Sequence, residues 1–246
     1  MSIESAEDLA GMQAVGRVVA TTLAEMQAEV RVGMTTAALD QVAARVFRRL
    51  GARSAPQVIY GFPGYTCLSV NEEIVHGVPG PRTLQPGDVL KIDVTAELGG
   101  FVADAATTVV IGIARGLPAR MKRSAQEALR TAIGVARAGD KVSVIGRAIE
   151  SRAQQDGFSV VRELCGHGVG RAIHEDPDVP NYENPRSQDC LTPGLVIAIE
   201  PMLTPGLTGA ILEDDGWTIR TANRTIAVHE EHTVVIRDDD VVVLTA

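Results

Sequence analysis

VLKIDVTAELGGFVADAATTVVIG, residues 89–112, reads as two strands and the turn between them. In 89–95, Leu90, Ile92 and Val94 alternate with Lys91, Asp93 and Thr95, the period of a strand with one face turned inward. FVADAATTVVIG (101–112) is a second strand, and the four residues ELGG (97–100) have the chemistry of a turn. The midpoint between Asp93 and Asp104 falls between Leu98 and Gly99, so these aspartates are expected opposite or nearly opposite each other, on one face of a hairpin. Like charges opposed across a ladder repel, and buried carboxylates are costly unless something neutralises them. A divalent cation does so, and paired carboxylates are what a hard cation requires. Taken alone, the pair reads equally well as a solvated hairpin face carrying incidental acids.

Outward from this hairpin the chain presents the same order of elements twice. Helical spacing marks residues 5–29 through Leu9, Met12, Val15, Val19, Leu23 and Met26. It marks 36–50 through Leu39, Val42, Val46, Phe47 and Leu50, with Thr35 or Thr36 as cap and Gly51 as stop. Helices are again expected at 118–135 and at 143–156, the latter opened by Ser143 and closed by Gly157. Further strands are expected at 158–163, 195–200, 217–221 and 231–236. Gly33 and Gly139 stand 106 residues apart, as do Gly51 and Gly157. LQPGDVLKID (84–93) resembles LTPGLVIAIE (191–200), with Asp93 and Glu200 offset by 107. Chance recurrence of helix stops and Pro-Gly turns is the alternative to an internal duplication. Duplication predicts an α+β fold: one domain over 1–246, with halves of about 1–115 and 116–246 facing each other about a pseudo-twofold axis. A cleft between halves is a natural ligand site.

The second half repeats the acidic anomaly. Glu200 ends the strand LVIAIE, Glu231 opens EHTVVI, and their midpoint falls in the turn residues EDDG (213–216). Four carboxylates converging across the cleft require about two divalent ions. Of the five histidines, His167 and His174 lie in CGHGVGRAIHEDP (165–177), where glycines allow close backbone approach or a bulge that aims a side chain. His76 precedes Gly77 in NEEIVHGVPG (71–80). His229 reads as a satisfied polar residue, and His232, beside Glu231, as structural. HEEH (229–232) lacks the i, i+4 histidine spacing of the HExxH zinc helix.

Composition bounds the function. The chain has 246 residues, 45% hydrophobic and 22% charged, enough for a sizeable core. Net charge is −8, which argues against a dedicated nucleic-acid binder. Three cysteines, Cys67, Cys165 and Cys190, without CxxC spacing, fit a reducing compartment better than a disulfide framework. The acidic start, with Glu4, Glu7 and Asp8, shows no signal peptide, and no apolar run is long enough to cross a bilayer. A cytoplasmic location is expected.

NEEIVHGVP, LKIDVTAELGGFVADAATTVV, CGHGVGRAIHEDP, TPGLVIAIEPML, DGWTIRT and EHTVVI, in this order and spacing, resemble the type I methionine aminopeptidases, metallopeptidases of the pita-bread fold. The resemblance runs from about residue 5 to the C-terminus. It implies metal ligands at Asp93, Asp104, His167, Glu200 and Glu231, with Asp104 and Glu231 bridging two ions, Asp93 completing one, and His167 and Glu200 the other. Thr95 is implied to touch the same site. The resemblance places His174 at the scissile carbonyl, His76 near the scissile amide nitrogen, Glu200 as proton shuttle, and Phe62, Cys67 and Trp217 on the methionine pocket wall. It also implies ions such as Mn, Co, Fe or Zn that activate hydroxide, nascent polypeptide N-termini with small second residues as substrates, and docking at the ribosome, although no basic patch marks a contact surface.

Three departures bear on pocket shape. Val102-Ala103-Asp104 stands where members usually read His-Gly-Asp. Ile173 stands where an aromatic often contacts substrate. Ile59 and Phe62 stand where tyrosines are usual. Rival readings are an X-Pro aminopeptidase or prolidase-like peptidase, which usually carries a large extra N-terminal domain, a metal-free hydrolase like creatinase, and a non-catalytic binding module on the same fold. All five implied ligands are present, which argues against the last two.

Overall fold

The computed structural model describes residues 1–246. Two long helices come first, α1 (Ala6–Glu29) and α2 (Thr36–Leu50). Ser5 and Asp8 close a capping box at the start of α1. Thr35 caps α2, and Gly51 ends it in the left-handed conformation. The short α3 (Ala55–Tyr60) is capped by Ser54 and has Pro56 in its first turn, where a missing N–H costs nothing. The second helix pair is α4 (Gly116–Val135) and α5 (Ser143–Gln155). α5 begins at Ser143, and the cap position before it, Val142, offers no side-chain hydrogen bond.

Strands Val89–Leu98 and Phe101–Val110 form the expected hairpin, turning at Gly99-Gly100, whose φ values of 61° and 84° suit glycine and match the twist of the strands. Arg53–Ser54 and Cys67–Val70 pair with the other edge of Val89–Leu98. The second half builds an antiparallel sheet in the order 241–243, 232–236, 196–199, 165–168, 175–180. The strand expected at 158–163 is only Ser159–Val160. Two further three-stranded sheets complete the fold. No helix is long and apolar enough to cross a membrane.

The core is divided as the helix pairs are. Met12, Val19, Leu39 and Phe47 of α1 and α2 pack on Leu90, Ile92 and Val94. Met121, Leu129, Ile145 and Ile149 of α4 and α5 pack on Ile197, Ile199 and Val234. Matching backbone contacts recur in the two halves. Gly33 N–H donates to Leu84 O and Leu84 N–H to Met34 O, as Gly139 donates to Leu191 O and Leu191 to Asp140 O. Thr35 and Thr83 form a bridge, as do Lys141 and Cys190.

The halves are stitched along strand Phe101–Val110. Thr233 Oγ1 donates to Asp104 O at 2.7 Å and accepts from Asp104 N at 2.9 Å. Glu231 N–H reaches Ala106 O at 2.9 Å, and Thr108 N–H reaches the Glu230 carboxylate at 3.1 Å. These bonds satisfy the edge of one sheet with residues of the other half. They also fix Asp104 against Glu231.

Candidate metal centre and active site

The hairpin register places its acids nearly opposite each other on one face. Asp104 faces Thr95, and Asp93 faces Ala106. The two aspartates are diagonal neighbours on one face, because the turn uses only Gly99-Gly100 and so moves the register by two. Thr95 Oγ1 donates to Asp104 Oδ1 at 3.3 Å, as the resemblance implied. In the second half, Val196–Ile199 pairs with His232–Ile236, His232 facing Ile199. Extending that register by one residue sets Glu200 opposite Glu231. The turn expected between them, residues 213–216, instead joins strands Ala210–Leu212 and Ile219–Thr221. The connection from Glu200 to Glu231 is therefore a long excursion rather than a hairpin.

His167 sits where strand Cys165–Gly168 bulges against Glu175–Pro180. A Cβ on Gly166 would collide with Ala198 O, and one on Gly168 with Asp176 O, so only glycine permits this approach. Nδ1 of His167 lies 2.9 Å from Gly168 O. A carbonyl only accepts, so Nδ1 carries the proton and Nε2 presents its lone pair to the cleft. Nε2 is 3.6 Å from Glu200 Oε1 and 3.9 Å from Asp104 Oδ2. Ligand atoms of Asp104, His167 and Glu231 all lie within 4.8 Å of one another. Asn181 Nδ2 holds the Glu200 carbonyl at 3.0 Å.

Electrostatics point the same way. Burial, then the Asp104 charge, pushes Asp93 well above the carboxylate range. Burial, then Glu200, lifts Asp104 to about 8. Burial also lifts Glu200 to about 7, and with Asp104 it raises Glu231 well above its ordinary value. Asp93 Oδ1 is buried with no hydrogen-bond partner. Such acids cannot all ionise unless cations join them, and one imidazole nitrogen with four carboxylates is a donor set for divalent metal. The residues fit the ions.

A cavity of about 260 Å³ opens onto this cluster. Its wall includes His76, Phe62, Ile173, His174 and Trp217. The Phe62 and Trp217 rings meet edge to face at 5.2 Å. His76 stands at φ 58°, a rare non-glycine conformation held by the tightly packed Gly77 behind it. Burial holds His76 and His174 near pKa 4. Cys67 does not itself line the cavity. It pairs with Asp93 across the strands and lies buried beside it on the same face, where burial and that carboxylate raise the thiol. Ile59 is exposed outside the cavity.

Sequence reasoning missed Tyr60, Met202, Leu164 and Cys165, which also line the cavity. It misread His229, which is buried in the wall with both ring nitrogens unpaired. The two-residue spacing of His229 and Glu231, which puts them on one side of an extended segment, could have shown that it faces Glu231's side. His232 is structural as expected, its Nδ1 2.9 Å from Thr245 Oγ1.

Residues 10–238 match the pattern of metallopeptidase family M24. "Methionine aminopeptidase 2" of Bacillus subtilis is 36% identical over all of this chain and 99% of its own length. The crystal structure of a methionine aminopeptidase from Thermotoga maritima superposes with a TM-score of 0.96 at 33% identity, covering 100% of this chain and 99% of that one. A prolidase from Pyrococcus furiosus shares the fold at 21% identity, with a TM-score of 0.76 over 99% of this chain and 65% of its own. The fold is therefore the pita-bread fold, and the chain belongs to metallopeptidase family M24, among the methionine aminopeptidases.

Proposed function

We propose that the chain hydrolyses the peptide bond after an N-terminal methionine when the second residue is small. The carrying observation is the convergence of Asp93, Asp104, Glu200, Glu231 and His167 in one cavity whose wall also carries Phe62, Ile173 and Trp217. Asp104 and Glu231 would bridge two divalent ions, Asp93 would complete one, and His167 with Glu200 the other. Such ions supply Lewis-acid charge that lowers the pKa of water at neutral pH.

The remaining steps belong to the side chains. Phe62, Trp217 and Ile173 receive the methionine side chain, since aromatic edges favour a thioether. His174 donates a hydrogen bond to the scissile carbonyl oxygen as negative charge develops there. Glu200, lifted to about 7 by burial, is poised to carry a proton to the leaving amine. His76 contacts the amide nitrogen. New polypeptide N-termini in the cytoplasm, close to the ribosome, are the substrates this chemistry serves. The matched contacts of the two helix pairs support one catalytic domain over 1–246 with halves meeting near residue 115.

Turnover of Met-Ala-Ser, Met-Leu-Ser and Ala-Pro peptides by protein loaded with Mn²⁺, Co²⁺, Fe²⁺ or Zn²⁺ tests this reading. Met-Ala-Ser is expected to be cleaved fastest. Faster cleavage of the Ala-Pro peptide would move the assignment to an X-Pro peptidase.

A further inference from the structure

His229 is the cavity histidine that these assignments leave unused. It occupies the two-residue strand Val228–His229, facing Met202. Thr108 clamps its backbone on both sides, its hydroxyl accepting from His229 N at 2.9 Å and donating to His229 O at 2.7 Å. The imidazole thereby faces the cavity, 2% exposed. Neither ring nitrogen has a hydrogen-bond partner. Buried polar atoms are nearly always paired, so two orphan nitrogens on one ring call for a ligand.

Distances identify that ligand. Nε2 of His229 lies 3.3 Å from Glu200 Oε2 and 3.9 Å from Glu231 Oε2. His167 Nε2 stands at nearly the same distances, 3.6 Å from Glu200 Oε1 and 3.9 Å from Asp104 Oδ2. The two oxygens of Glu200 thus face two different imidazoles. Donors roughly 2.0–2.2 Å from a shared ion lie about 3–3.6 Å apart. The contact of His229 with Glu200 is that short, yet off the line of a hydrogen bond. Two donors that share an ion, rather than each other, have this disposition.

We propose that His229 is a metal ligand, a second imidazole beside His167 on the ion that Glu200 holds. The proposal rests on the dinuclear reading above and deepens it. A second nitrogen makes this half of the centre softer, favouring Zn²⁺, Fe²⁺ or Co²⁺ over Mn²⁺.

Zinc alone, added to the metal-stripped full chain, tests it. X-ray absorption at one equivalent of zinc is expected to count two imidazoles on the ion in the wild type and one in His229→Gln. Zinc affinity, measured against a chromophoric chelator, is expected to fall by about 10–100-fold or more in His229→Gln and His229→Leu. Thermal melts of the metal-free variants check folding. If either variant does not fold, the wild-type imidazole count still decides. A single imidazole in the wild type overturns the proposal and leaves the dinuclear reading intact, as does unchanged affinity in both variants. A wild type that binds no zinc overturns both.

Discussion

Tyr60 Oη lies 2.9 Å from Nδ1 of His174, and the two rings stack with centroids 6.0 Å apart. With the phenol as donor, Nδ1 accepts, and the ring proton sits on Nε2. Burial, then the neighbouring His167, keeps this ring neutral by holding its pKa near 4. A neutral imidazole with its proton on Nε2 is a hydrogen-bond donor of fixed direction. Tyr60→Phe is expected to lower kcat by roughly 2–10-fold, the scale of one net hydrogen bond, with KM and metal content little changed. Nitrogen NMR of the zinc-loaded protein is expected to show His174 shifting from one tautomer to a mixture. An unchanged tautomer and kcat would show that Tyr60 does not orient the ring.

Asp104 and Glu231 are held together by the bonds that stitch the two halves. Asp104→Asn or Glu231→Gln is expected to abolish nearly all peptidase activity and reduce metal stoichiometry, because each removes an anionic bridge. Full activity with two ions per chain in either variant contradicts the bridging role.

His174 and His167 stand with ring centroids 4.5 Å apart, yet different roles are expected for them. His174→Ala is expected to lower kcat by about 10²–10³, the effect of losing one oxyanion donor, with metal content unchanged. His167→Ala is expected to weaken metal binding instead. Metal analysis and kinetics of the two variants side by side would expose an exchange of roles.

Ile173 is 3% exposed, lines the cavity and packs into the first core. Val or Thr at the second substrate position is therefore expected to be tolerated better than an aromatic here would allow. Ile173→Phe should sharpen the preference for small residues, and overpacking is expected to destabilise the fold by about 1–3 kcal/mol. A Met-Xaa-Ser series showing identical relative rates for the wild type and this variant would remove Ile173 from the substrate's path.

Metal binding is expected to tighten steeply as pH rises from 6 to 8. Asp104 keeps its proton until about 8 and Glu200 until about 7, and each must lose it to hold a cation. Calorimetry in buffers of different ionisation enthalpy is expected to show proton release at pH 7. The same raised acids bind more protons folded than unfolded, so from the ordinary carboxylate range up to about 7 for Glu200 and about 8 for Asp104 they make the metal-free fold less stable as pH rises. Buried Lys91, lowered to about 7, opposes them. It is not at the ions, so the rise in melting temperature on adding metal isolates the acids. A metal-induced rise that shrinks between pH 7 and 8 would contradict these protonation states.

Local chemistry alone determined the four long helices, the first hairpin and the acids that sheets do not ordinarily bury. Thr35 and Gly51 mark α2 because caps and left-handed stops act within one turn of chain. Alternation from Leu90 to Thr95 specified which residues share a face. Resemblance to known motifs then named the ligands. Tertiary structure decided what depends on partners distant in sequence. Glu200 and Glu231 meet through strand pairing, with a long excursion between them that no turn signal could announce. Cys67 is buried beside Asp93 rather than on the cavity lining, a placement set by strand pairing with residues distant in sequence. Tyr60 reaches His174 across 114 residues of chain, and His229 reaches Glu200 only because Thr108 of the other half grips its backbone. A histidine reads alike in any sequence. Whether it is satisfied or orphaned depends on the atoms that folding brings to its two nitrogens.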